Sequence, residues 1–146
     1  MDTHMKLNKF WLIPAVLLVA GGIAFAATRS APPADLDYDL SHLSENGLYQ
    51  VTLVPGIDPV PVGKMHAWLV NVVNANGQPV DAEIVMDGGM PQHGHGLPTV
   101  PMVTGKDHKG RHIVGGMRFN MPGWWVLTVE VNGEAGTDTA TFNLAL

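Results

Sequence analysis

His93 and His95 stand two residues apart in the stretch Gly88-Gly89-Met90-Pro91-Gln92-His93-Gly94-His95-Gly96-Leu97-Pro98-Thr99. Met90 lies three residues ahead of the first histidine, and Gly or Pro fills most other positions. Leu97 is the only other apolar side chain there able to hold the segment down, so turns, hydrogen bonds or a ligand must fix its shape. Further on, Met117 and Met121 flank Arg118-Phe119-Asn120. From Met86 to Met121 the chain carries five Met and four His, nine of its fifteen such residues in 36 positions. An even spread would put about four there. Thioethers are soft donors that select Cu(I), and imidazole serves both copper oxidation states. A His/Met set in a chain without cysteine therefore points to copper rather than zinc or iron–sulfur chemistry. The candidate ligands are Met90, His93, His95, Met117 and Met121.

The other methionines and histidines read as structural. Met86 falls on the apolar face of a strand, and Met65 and Met102 are expected in the core. His42 falls in a linker and His66 in a strand, and neither is assigned a role. His108 sits in the charged turn Lys106-Asp107-His108-Lys109 and is expected to be solvated. Catalysis has little support. No serine occupies a nucleophile elbow, and no H-E-x-x-H occurs. The carboxylates are scattered, so neither histidine has an acid partner near it in sequence. Gly88-Gly89 precedes no lysine, which argues against a phosphate loop.

Two features fix where such a site would operate. Lys6 and Lys9 precede an uncharged run from Phe10 to Ala27, and Arg29 follows. Eighteen apolar residues are close to the minimum for a membrane-spanning helix. Ala24-Phe25-Ala26 also fits a signal-peptide cleavage site, so an anchor and a cleaved signal both stay open. Either way the two lysines keep residues 1–9 in the cytoplasm, and residues after Ala27 are exported. That exported part carries six basic and twelve acidic residues, a net −6. Such a balance excludes a nucleic-acid binder. With no Cys there is no disulfide, so the exported part must be held by its core.

The elements that would position the ligands are strands. Ala31-Pro32-Pro33-Ala34 is the stiff part of a linker over 28–47 with a short turn or edge segment at its end, and a single domain follows over 48–146. Strands are expected at 48–54, 65–73, 80–86, 100–104, 112–119, 124–131 and 137–144. A hairpin turn is expected at Asn76-Gly77 and a bulge at Gly115-Gly116. About seven short strands with no helical periodicity after the anchor predict an all-β, immunoglobulin-like β-sandwich, with a small barrel as the alternative. Trp68 and one of Trp124 and Trp125 are expected between the sheets. The other indole of that pair would face outward as an interface anchor.

The run Met90-Pro91-Gln92-His93-Gly94-His95-Gly96, followed by Gly116-Met117-Arg118-Phe119-Asn120-Met121-Pro122-Gly123-Trp124-Trp125, resembles the bacterial FixH/YtkA-like group. The resemblance implies a single-anchor domain facing the periplasm from the inner membrane. It also implies copper handling, or assembly of a copper-containing membrane enzyme, with Met90, His93, His95, Met117 and Met121 as the positions to test. Two non-enzymatic functions are therefore expected. One is a copper-binding or copper-delivery domain. The other is an accessory subunit of a membrane complex that binds no metal and docks through the sandwich, with Trp124 and Trp125 as interface residues.

Overall fold

The computed structural model describes residues 31–146. The expected anchor or signal at 10–27 lies outside the described residues. Among the described residues no helix is long and apolar enough to cross a membrane.

Nine strands follow in chain order: β1 (Ser41–Leu43), β2 (Gln50–Pro55), β3 (His66–Val73), β4 (Glu83–Met90), β5 (His95–Gly96), β6 (Met102–Lys106), β7 (His112–Met117), β8 (Trp124–Gly133) and β9 (Gly136–Ala145). They form two antiparallel sheets, β1-β2-β3-β7-β6 and β5-β4-β8-β9. The chain changes sheet after β3, after β5 and after β7, so the fold is the expected β-sandwich.

Alternation decides what fills the space between the sheets. On β3 the inward positions are His66, Trp68, Val70 and Val72; on β8 they are Trp125, Leu127, Val129 and Val131. Trp68 and Trp125 are both fully buried. At about 25 cal/mol per Å², burying an indole of roughly 200 Å² contributes about 5 kcal/mol before entropy is counted. Met86 is in the core as expected.

Met65 and Met102 are not, being 64% and 66% exposed. Met65 is odd in the parity that puts Trp68 inside, so it turns outward. Met102 lies on the edge strand β6, all five of whose residues are exposed, opposite Gly115, which has no side chain to cover it. Trp125 is likewise no interface residue, because its parity on β8 sends it inward. Only Trp124 is partly accessible, with its indole N–H donating to Asn143 Oδ1 at 3.0 Å.

The folded unit also begins before Leu48. Leu53 N–H donates to the carbonyl of Leu40, and β1 pairs with β2 from Ser41 onward. His42 reaches across to the other sheet. Its ring stacks on Phe142 at 5.0 Å, and it bonds the Thr141 carbonyl through Nδ1 at 2.8 Å. Asp37 is tied to the same strand, its carbonyl accepting from Asn143 Nδ2 at 2.9 Å. Asp138, at the other end of β9, holds the turn between β1 and β2. Its carboxylate accepts from the backbone N–H groups of Asn46 and Leu48 and from Asn46 Nδ2.

Candidate metal centre

The end of the sandwich where β3 and β8 begin and β4 and β7 finish is referred to below as the rim. It gathers most of the residues singled out by their chemistry. β4 and β5 form a tight hairpin, with Met90 opposite His95 and Gly89 opposite Gly96. The turn closes on one carbonyl: Met90 O accepts from the N–H of His93 at 3.0 Å and of Gly94 at 2.9 Å. Gly94 takes φ +65°, which a side-chain-bearing residue rarely adopts. Gly89 is required for another reason, since a Cβ there would stand 2.8 Å from His95 O. The glycines that leave the segment unpacked in sequence are thus what bring β5 close enough to pair.

The hairpin sets the two imidazoles side by side and half-buried, with ring centroids 5.8 Å apart. Metal–imidazole bonds of about 2.0–2.1 Å put an ion about 3.2 Å from each ring centre, so two rings on one ion sit at most about 6.4 Å apart. The observed separation fits that limit. His95 Nδ1 lies 3.0 Å from the Gly96 carbonyl. A carbonyl only accepts, so Nδ1 carries the hydrogen and the neutral ring presents its lone pair at Nε2. The His95 ring also stands edge-on to Trp125 at 5.8 Å, which fixes its orientation. Beside it, on the outer face, is an open hollow of 390 Å³ floored by Gly88 and Gly89 and bounded by Asp87, Pro91, Val126 and Thr128.

The methionines divide differently from expectation. Met90 and Met117 are fully buried members of the core and cannot serve as ligands open to solvent. Met90 points inward from the end of β4, where a Cβ on Gly123 would lie 2.8 Å from its Cε. Met121 is half-buried in the 118–123 connection and packs on the core edge, and its carbonyl accepts from Trp125 Nε1 at 3.1 Å. Of the five candidates, His93, His95 and Met121 are therefore at the surface of the rim. Among the described residues no cluster of three His or carboxylate groups forms a metal site.

His66 was read from the sequence as a strand residue without a role. It is only 8% exposed and opens β3 on its inner face. Its ring packs against Phe119 at 5.7 Å and Trp68 at 6.4 Å. Its place two residues before Trp68 is the signal that would have found it. The bulge expected at Gly115-Gly116 is present. His66 faces Met117 and Trp68 faces Val114, so three residues of β7 match two of β3. Gly116 takes φ +82° there. Without the extra residue, alternation from the inward Val114 would turn Met117 outward; the bulge turns it in.

Among solved structures, a DUF4426 family protein from Pseudomonas aeruginosa PAO1 superposes with a TM-score of 0.52 at 16% identity, covering 68% of this chain and 91% of that one. At that identity it supports the fold alone. The ZirS C-terminal domain aligns at a TM-score of 0.37 and 12% identity, covering 100% of this chain and 97% of that one, too low to carry an argument. No curated protein matches the chain. The YtkA-like family model matches residues 44–130, from the turn after β1 into β8, and so spans both the histidine hairpin and the bulged β7. The chain belongs to the YtkA-like family.

Proposed function

We propose that this chain is a membrane-anchored, periplasm-facing domain that binds copper at the rim and delivers it to a membrane metalloenzyme. The observation that carries the reading is the His93/His95 pair, two adjacent imidazoles of which His95 has its Nε2 lone pair directed away from its one backbone bond. Met121, a half-buried thioether of the same rim, accepts through its carbonyl from Trp125, whose ring the His95 imidazole meets edge-on. Imidazole and thioether bind Cu(I) without losing a proton near neutral pH, so loading and release require no acid–base step. His93 and His95 lie on a short turn rather than in a closed cage. A partner's ligands can therefore displace them one at a time, which suits transfer better than storage. Copper here is cargo, and the domain does no bond-making chemistry of its own.

The test is copper titration of the full chain in mild detergent beside the His93→Ala/His95→Ala variant. Affinity at least tenfold weaker in the double variant is expected. Equal affinity would remove the hairpin from the site.

A second reading has one observation in its favour. Val100, Met102 and Met65 are 83%, 66% and 64% exposed near the end of β7, an apolar surface that an accessory subunit could use for docking. Co-elution of a stoichiometric partner without copper would favour it.

A further inference from the structure

We infer that His66 and Met117 form a second, enclosed site for a soft monovalent cation, Cu(I) or Ag(I), inside the sandwich and distinct from the histidine hairpin. His66 Nδ1 lies 3.0 Å from the Lys64 carbonyl. That acceptor places the hydrogen on Nδ1, so the neutral ring carries its lone pair at Nε2. His66 Nε2 is buried and has no hydrogen-bond partner, and the buried Nε1 of the neighbouring Trp68 has none either. Buried polar atoms are nearly always satisfied, and one that is not marks an unrecorded water or ion. A metal-bound histidine typically has this arrangement, one ring nitrogen donating to a backbone carbonyl and the other left for the metal.

The residue opposite His66 selects the ion. Met117 is the register partner of His66 across β3 and β7, and both residues are buried on the inner face. Directly opposite residues on a sheet have Cβ atoms about 4.5–5.5 Å apart, within reach of one ion between their side chains. Trp68 and Phe119 pack against the imidazole. Two neutral donors among aromatic rings disfavour a divalent ion, whose charge would be buried without compensation. A monovalent ion with a preference for thioether and imidazole meets that cost far more easily. The bulge at Gly116 is the device that supplies the sulfur, because it alone turns Met117 to the side of His66.

The experiment is equilibrium dialysis of the full chain in detergent against Ag(I), which needs no reductant, with tryptophan fluorescence read in parallel. His66→Leu and Met117→Leu should each bind one Ag(I) fewer per chain than the parent. His93→Ala/His95→Ala should keep an Ag(I)-dependent quench of Trp68, and that quench should vanish when His66→Leu is added. If His66→Leu and Met117→Leu both bind as much Ag(I) as the parent, the site does not exist and the orphaned nitrogen holds water. Because the hairpin histidines are intact in those two variants, this outcome leaves the rim proposal standing. A change confined to the His93→Ala/His95→Ala variant would likewise count against the inner site alone. Melting without metal controls for folding. Should His66→Leu fail to fold, Met117→Leu decides by itself, since it preserves shape and volume.

Discussion

Replacing Gly116 with alanine should destabilise the domain by an amount that the backbone sets. At φ +82° an L-residue costs about 1–2 kcal/mol. The new Cβ would also lie 3.3 Å from the Val100 carbonyl, a contact that must be relieved by backbone movement. Together these amount to about 2 kcal/mol. Unfolding entropy of about 2.1 cal/mol/K per residue makes 1 kcal/mol worth about 4 °C for a domain of this size, so the melting midpoint should drop by about 8 °C. Two other glycines separate the contributions. Gly110 has φ +79° but open space around its missing Cβ, so Gly110→Ala should lose only about 4 °C. Gly105 has open space and no positive φ, so Gly105→Ala should be neutral or rise by about 2–4 °C through the unfolded chain. The assay is thermal unfolding by circular dichroism at fixed pH without metal. A Gly116→Ala variant melting within 2 °C or so of the parent would refute the claim that this bulge is a backbone-enforced element.

Other expectations follow from the same structure. Met90→Ala should cost about 2–5 kcal/mol by opening a core cavity, while Met90→Leu should cost under about 1.5 kcal/mol and leave copper affinity unchanged. Loss of copper on Met90→Leu, in the titration described above, would show that Met90 is a ligand after all. Burial, then the charge of Lys106, pulls His112 below the ordinary imidazole range, against backbone bonds to Val70 and Ala82 and the charge of Asp81. The unfolded chain therefore binds the proton more readily. Stability is complete above about pH 6.5 and declines below it, and denaturant midpoints for His112→Leu should lack that decline. Burial raises the Asp138 pKa, but hydrogen bonds from Ser44, Asn46, Leu48 and Thr139 outweigh it and hold the group at about 2. Its contribution is present above about pH 4 and lost as pH falls toward 2. Acid titration of Asp138→Asn should show a shallower loss there, and an unchanged curve would mean the turn before β2 does not depend on it.

Strand existence was legible because the β3 and β8 runs alternate cleanly, and Gly115-Gly116 announced its bulge. β1 was legible only as a turn or edge segment ending the linker, because three residues with a half-buried histidine carry too little pattern, and the histidine's own tie is to β9 about a hundred residues away. β5 is only two residues long and exists because Gly89 lets it approach. The histidine hairpin stood out by composition, since nothing in its side chains explained it. Burial of Met90 and Met117 was harder to read. Met90 extends a strand that runs through Gly88-Gly89, and Met117 owes its direction to an inserted residue whose effect on parity depends on its place in the register. Exposure of Met102 follows from an edge position, which no local pattern encodes.

The clasp between Asp37 and Asn143 bears on reach. Asn143 also holds Trp124, at the start of β8, so the chain enters the sandwich at the rim and not at the far end. Only ten residues, Thr28 to Asp37, follow Ala27 up to that clasp. Fully stretched they extend about 35 Å. With the proposed anchor in a bilayer, His93 and His95 would be leashed within a few tens of ångströms of its surface, whatever the domain's tumbling. The zone they sweep would be a thin layer over the membrane, and a protein acceptor in that layer would see them at a raised local concentration without any affinity between the two proteins.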